Sequence, residues 1–202
     1  MIGEAMHIPL WIKLVYTLFV AILVPIYLKH YGAANFLWFS DVALLGMVPG
    51  LWAENPLIVS TLAVAVAIPE TLWNLDFFAR LLTGRSPLGM ATYMFDGRLP
   101  RYLRALSLFH VALPVLLVWT LARIGYDPRA LIAQTALGTF LFVVCYALTN
   151  PSENINWVFG PGSAPQRRLP PRVYVGMLVV GFPLFVYWPT HLALVRLMPS
   201  AY

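Results

Sequence analysis

Long apolar runs separated by short polar segments make up most of the chain. A helix that crosses a bilayer needs about 20 consecutive apolar residues, and six runs approach or reach that length. We predict spans at residues 10–28, 36–52, 57–78, 102–124, 130–149 and 173–194. The predicted fold class is therefore all-α, a polytopic integral membrane protein whose six transmembrane helices form a bundle. Residues 1–202 are expected to be a single transmembrane domain, because the remaining loops are too short to fold alone.

The second run is the shortest of the six. It carries Asp41, and Pro49 and Gly50 lie near its end. The run therefore fits either a tilted span or a re-entrant segment, and the orientation of every later helix depends on which of the two it is.

Composition agrees with lipid as the solvent of this chain. Hydrophobic residues make up 60% of it and charged residues 10%, against about a quarter charged in soluble domains. The mean hydropathy is +0.77. The net charge of +5 does not indicate nucleic-acid binding, because the arginines lie at the ends of apolar runs. The single Cys145 excludes an internal disulfide, and no cleavable signal peptide is expected.

Lysine and arginine residues are distributed unequally between the two sides of the predicted bundle. The loops after the first, third and fifth spans carry nine: Lys29, Arg80, Arg85, Arg98, Arg101, Arg104, Arg167, Arg168 and Arg172. The opposite side carries four: Lys13, Arg123, Arg129 and Arg196. Positively charged loops stay in the cytoplasm, so we expect the long loops inside and both termini outside, in a plasma or inner membrane.

Polar residues inside the predicted spans indicate where a functional site would lie, because an intramembrane charge costs about 2.5–3.5 kcal/mol or more. With a rise of about 1.5 Å per residue, Asp41 lies about 8 Å from the inner end of its span, His110 about 12 Å and Glu70 about 15 Å. These spans alternate in direction, yet all three residues fall in the cytoplasmic half. Asn74 shares a helix face with Glu70 at spacing i, i+4.

Each of these residues also has a purely structural interpretation. Asp41 could bond a neighbouring helix, and Glu70 follows Pro69, where a helix can kink. His110 precedes Pro114 by four residues and could satisfy the backbone group that the proline leaves free. Asp76 is expected to form an interfacial ion pair with Arg80 at spacing i, i+4.

The segment after the fifth span has the pattern of a helix start. Asn150 suits an N-cap, Pro151 suits the first helical position and Glu153 suits a capping box. We expect a short interfacial helix that ends near Gly160, and this helix could also act as a polar lid over the inward cluster. The predicted substrate-binding residues are Asn74, Asn150, Glu153 and Asn154.

Two carboxyl groups and an imidazole in a partly dry pocket can carry out general acid–base chemistry. We therefore predict Asp41, Glu70 and His110 as catalytic residues. A metal site is not predicted because only one histidine is well placed, and the sequence identifies no cofactor. Motifs for a serine nucleophile, a phosphate loop or a dinucleotide are absent from the sequence.

One segment resembles a known family. Residues 70–78, Glu-Thr-Leu-Trp-Asn-Leu-Asp-Phe-Phe, with His110 in the next span, are similar to the acidic span of the emopamil-binding and sigma-2 receptor group of sterol-binding proteins. The resemblance covers under a tenth of the chain, and the number of spans differs. It implies that a buried glutamate among aromatic residues can hold an amphiphilic ligand.

Three functional hypotheses follow. The first is a membrane-embedded enzyme that acts on a lipid or isoprenoid-like substrate. The second is a non-catalytic protein, either a lipid-binding protein or an accessory subunit of a larger membrane complex or homo-oligomer. The third is a transporter, although the paired broken helices of related halves that transporters often show are not evident. The substrate and the oligomeric state cannot be read from the sequence.

Overall fold

The computed structural model describes residues 7–162 and 164–202. Regular secondary structure in these ranges is helical, apart from an isolated bridge between Tyr126 and Ser200. The helices are α1 (Leu10–Tyr31), α2 (Phe39–Ala53), α3 (Pro56–Thr83), α4 (Arg101–Leu106), α5 (Phe109–Ile124), α6 (Ala130–Leu148), α7 (Pro171–Phe182) and α8 (Trp188–Leu197). Three 3₁₀ turns cover Ala33–Leu37, Thr92–Phe95 and Ile155–Trp157, and a π-helical turn, Pro183–Tyr187, joins α7 to α8.

Five helical stretches in the described ranges are long and apolar enough to cross a membrane. They are Leu10–Tyr31, Pro56–Thr83, Arg101–Ile124, Ala130–Leu148 and Pro171–Leu197. Helix α2 is equally apolar but has 15 residues, which is about 22 Å of helix. The predicted all-α membrane bundle is confirmed. Helix α2 is shorter than each of the five long stretches.

The chain reverses direction at each successive pass, including α2. At one end of the bundle Lys13 Nζ lies 2.6 Å from Glu54 Oε1, and the Tyr126 amide donates to the Pro199 carbonyl. We call this the terminal end; it contains residues 7–9, 54–55, 125–129 and 198–202. At the opposite end His30 bonds Tyr102. We call this the loop end; it contains residues 29–38, 80–104, 149–162 and 164–172, and with them the α3–α4 loop (residues 84–100) and the α6–α7 loop (residues 149–162 and 164–170).

Helix α3 is the centre of the bundle and packs against α2, α5 and α6. Residues 59–66 of α3 are buried on every side, as expected for a helix enclosed by others. Asn55 caps its start by accepting a hydrogen bond from the Ile58 amide, and Pro56 follows at the first helical position. Gly84 ends it with a positive φ of 73°.

Helix α2 approaches α3 closely through two glycines one turn apart. A Cβ on Gly46 would lie 3.0 Å from Leu62, and one on Gly50 would lie 3.1 Å from Val59. Small residues at such positions let two helices pack with little space between them, which is how helices associate in a membrane. This close contact holds α2 in place although it is short.

Candidate functional site

A cavity of about 510 Å³ lies at the loop end of the bundle. Its wall is formed by the end of α1, the start of α2, the middle of α3, the start of α5 and parts of the α3–α4 and α6–α7 loops. The structure brings five of the predicted site residues to this wall: Asp41, Glu70, His110, Glu153 and Asn154. Asn74 and Asn150 lie outside it.

Glu70 and His110 form a hydrogen-bonded pair between α3 and α5. Nδ1 of His110 lies 3.0 Å from Oε1 and 2.9 Å from Oε2 of the carboxylate. The Glu70 side chain is 3% exposed and the imidazole 14%. A carboxylate at Nδ1 fixes the proton there. Nε2 has no partner among the described residues, so its lone pair is available in the cavity.

Trp73 fixes the plane of this imidazole. Its indole ring stacks on His110 with ring centroids 4.6 Å apart and an interplanar angle of 22°. Trp73 is one helical turn from Glu70, and both residues are buried. The carboxylate therefore sets the tautomer of His110, and the indole limits rotation of its ring.

Asn74 joins the backbones of the same two helices. Its side-chain amide donates to the Glu70 carbonyl at 2.8 Å and to the His110 carbonyl at 2.7 Å. Pro114 has no N–H, so the His110 carbonyl four residues earlier lacks its usual helical partner. The structural interpretation considered for His110, that its side chain satisfies the backbone group freed by Pro114, is therefore wrong. Asn74 satisfies that carbonyl, and the His110 imidazole pairs with Glu70.

Asp41 lies in the first turn of α2, on the same wall as the Glu70–His110 pair. It is 4% exposed, and Asn35 Nδ2 donates to its Oδ1 at 3.3 Å. Tyr27 and Ser107 bond each other at 2.7 Å and form part of the wall between α1 and α5.

The predicted continuous helix after the fifth span does not form. The hydrogen bond of a capping box is present, because the Asn150 amide donates to Glu153 Oε2 at 3.0 Å. Positive φ angles at Asn154 (43°), Asn156 (51°) and Trp157 (58°) then break the helix and leave only a turn. The expectation of an interfacial helix is wrong, and the segment forms an irregular part of the wall.

Two asparagines hold this irregular segment in place. Asn154 donates to the carbonyls of Gly160 and Gly162 and accepts from the Phe159 amide. Asn156 Oδ1 accepts from the Phe39 amide at 3.0 Å, and its Nδ2 donates to the Leu37 carbonyl at 2.7 Å. Asn156 therefore caps the start of α2 from a distant part of the chain.

Asp76 anchors the α3–α4 loop over the cavity. Its carboxylate accepts hydrogen bonds from Ser86 Oγ at 2.6 Å and from the amides of Leu88, Gly89 and Ala91 at 2.8, 3.3 and 2.9 Å. The predicted ion pair with Arg80 is wrong, because these loop donors surround the carboxylate instead. Residues 88–90, 92 and 93 of the loop then form one side of the cavity.

Several wall residues were not predicted from the sequence. Tyr27, Asn35, Trp73 and Tyr93 all line the cavity. Burial raises the pKa of the Tyr93 hydroxyl, which keeps it protonated. Only Trp73 carried a usable signal, since it lies three residues from Glu70 on α3.

No group of three or more His, Cys, Asp or Glu in residues 7–162 and 164–202 could hold a metal ion. No protein-family model, curated protein or solved structure matches the chain. The chemistry of the site is inferred from its own geometry.

Proposed function

We propose that this protein is a membrane-embedded enzyme that acts on a lipid or isoprenoid-like substrate in the cavity at the loop end. The observation that carries the proposal is the hydrogen-bonded Glu70–His110 pair, which lines a cavity within an apolar bundle. A carboxylate that orients a histidine is the usual arrangement of a general base.

The chemistry follows from the orientation of the imidazole. Nε2 of neutral His110 takes a proton from a hydroxyl or from an activated C–H of the substrate. The imidazolium formed is stabilised by Glu70, to which it is already bonded through Nδ1. Asp41, on the same wall, supplies a second carboxyl that can bind the polar end of the substrate or return a proton to it.

The aromatic and apolar parts of the wall suit the rest of such a substrate. Trp38, Phe39, Trp73 and Phe109 line the cavity with Tyr27 and Tyr31. Pockets that bind small ligands combine a mainly apolar lining with a few placed polar groups. The same lining would suit a non-catalytic lipid-binding protein, and turnover separates the two functions.

The test is lipid conversion by the purified full-length protein. Wild-type protein in nanodiscs is incubated with a total lipid extract of its source cells, and lipids are quantified by mass spectrometry over time. We expect one lipid species to decline and a related one to appear. Glu70→Gln and His110→Asn should each slow the conversion by about 10²–10⁴-fold, the usual contribution of an acid–base group.

The control variant is Asp96→Asn, in the α3–α4 loop but outside the cavity wall. It should convert lipid at the wild-type rate. If wild-type protein changes no lipid but retains one through purification, the protein is a lipid-binding protein and the enzymatic proposal is wrong.

A further inference from the structure

The charges around the cavity are separated by sign. Of the described residues, those that line the cavity include three acids, Asp41, Glu70 and Glu153, and no lysine or arginine. The nine lysine and arginine residues of the loop end lie outside the wall. Eight of them are exposed, and Arg104 is half-buried.

Three of these cations have partners in the α3–α4 loop. Arg98 is bound to Asp96 at 2.8 Å, Arg80 stacks on Phe95 and Arg104 donates to the Met94 carbonyl. All three partners belong to the α3–α4 loop. The cations suit the anionic surface of a membrane and do not contribute to the lining of the cavity.

A helix N-terminus is the other common means of binding an anion, and here it is already occupied. The start of α2 faces the cavity, but Asp41 lies in its first turn, where a negative charge complements the helix dipole. The Phe39 amide at this end is taken by Asn156 Oδ1. A phosphate would therefore enter a site that offers neither a cationic side chain nor this amide.

We infer that the substrate of this cavity is an uncharged lipid whose polar end is a hydroxyl or carbonyl group, and that phosphate-bearing lipids are excluded. A buried anion without a cationic partner is strongly unfavourable, and the acids of the wall add repulsion. A hydroxyl or carbonyl, in contrast, finds both donors and acceptors there, in the Tyr93 hydroxyl, the Asp41 carboxyl and His110 Nε2. This inference rests on the proposed function and names its substrate class.

The experiment compares lipids that differ in whether the polar end carries phosphate. Two matched pairs are used: farnesol with farnesyl diphosphate, and monoolein with oleoyl lysophosphatidic acid. Binding of each radiolabelled lipid to full-length protein in nanodiscs is measured by scintillation proximity, with empty nanodiscs subtracted for partition. We expect the uncharged member of at least one pair to bind at least about tenfold more tightly than its phosphorylated partner.

Variants of the wall acids assign the selectivity to the cavity. The double variant Asp41→Asn, Glu153→Gln replaces two of the wall's carboxyl groups with amides at nearly constant size and should reduce the preference for the uncharged lipid. Asp96→Asn removes one negative charge outside the wall and should leave the preference unchanged. An equal effect of both changes would mean that the cavity does not set the selectivity, and would overturn the inference.

The possible failures can be told apart. If the phosphorylated lipid of a pair binds as tightly as the uncharged one, or more tightly, the inference on substrate class is wrong while the lipid site stands. If none of the four lipids binds above empty nanodiscs, the proposed function itself fails.

Discussion

Pro114 explains why Asn74 lies where it does. The proline removes an N–H from α5, and the carbonyl of His110 that would have bonded it accepts from Asn74 on α3 instead. This hydrogen bond fixes the backbone from which the imidazole extends. Asn74 was predicted to bind substrate, and its position outside the cavity wall leads us to propose a positioning role for it.

Replacing Asn74 with leucine removes the donor from both carbonyls at nearly constant volume. We expect a loss of about 1–3 kcal/mol of stability, the usual consequence of leaving a buried polar group unsatisfied. Thermal unfolding of the purified protein in detergent measures the change. Thr71→Val is the matched control, since the Thr71 hydroxyl is exposed and bonds only the Ala67 carbonyl of its own helix.

If Asn74→Leu unfolds at the wild-type temperature, its bond to the His110 carbonyl does not stabilise the α3–α5 contact. The positioning role would then be wrong.

At the terminal end, Asp127 holds the last residues of the chain against the α5–α6 turn. It is fully buried and accepts hydrogen bonds from the Arg129 guanidinium at 2.7 Å and from the Tyr202 hydroxyl at 3.0 Å. The bond from the Arg129 side chain holds the pKa of Asp127 below its usual range, and burial opposes this only in part. The folded state therefore favours the carboxylate.

This shift makes part of the stability dependent on pH. The folded-state pKa of Asp127 lies below the unfolded value of about 3.9. The contribution of Asp127 to the free energy of unfolding is therefore complete above that value and is lost as the pH falls through the folded pKa. Asp127→Asn should cost about 1–3 kcal/mol at neutral pH. The difference from wild type, measured by thermal unfolding, should shrink as the pH falls below the unfolded value of about 3.9. A difference that stays constant over this range would contradict the assignment.

The extent to which the site could be predicted differs from residue to residue. Glu70, Asp41 and His110 were found because an ionisable group in an apolar run is conspicuous, and their convergence followed from alternating helix directions. Asn156 and Tyr27 could not be found in this way. The bond of Asn156 to Phe39 joins residues 117 positions apart. A tyrosine near a helix end, such as Tyr27, has the same sequence pattern whether or not it lines a site.

At the scale of the elements, the shape of the α3–α4 loop depends on one side chain of α3. Four donors of this loop converge on Asp76, a residue buried within α3. A sequence pattern could place Asp76 on the helix, but it could not show that the loop folds back. The spacing to Arg80 favoured an ion pair between Asp76 and Arg80. The loop donors bind Asp76 instead, because they satisfy both oxygens of its carboxylate.

Asp76→Asn should loosen this loop, because an amide nitrogen cannot accept the bonds that one carboxylate oxygen now accepts. We expect trypsin to cleave after the exposed Arg85 about tenfold faster, which corresponds to about 1.4 kcal/mol less loop stability. Limited proteolysis followed by mass spectrometry of the fragments measures the rate. Asp96→Asn, in the same loop, should leave cleavage at Arg85 unchanged, and an equal acceleration in both variants would count against the anchor.

At the scale of the whole molecule, the alternation of helices places both described ends of the chain at the terminal end. The sequence predicted that both ends of the chain lie on one side only if the second run crosses the bundle. In the structure α2 does return the chain between α1 and α3. The order of the six apolar helical stretches could be predicted from hydropathy alone. The second run was also expected to be the shortest, but the exact ends of α2 could not be predicted, because they depend on packing against α3 and on Asn156.

We predict that the loop end faces the cytoplasm, because it carries nine of the 13 lysine and arginine residues. Single cysteines are introduced as Gly97→Cys or Ser200→Cys in a Cys145→Ala background. Gly97 and Ser200 are exposed, and a Cβ on Gly97 meets nothing within 4 Å. A membrane-impermeant maleimide should label the Ser200→Cys protein in intact cells and the Gly97→Cys protein only after permeabilisation. The reverse pattern would invert the proposed orientation.

The cap that Asn156 places on α2 has a consequence for biogenesis. A ribosome completes α2 long before it reaches Asn156, so the newly made helix lacks the side chain that fixes its first turn. With only 15 residues, α2 is also short for independent insertion. The start of α2, and Asp41 with it, is therefore expected to reach its final position only after α6 and the following loop have been synthesised, so that the cavity at the loop end is among the last parts of the protein to mature.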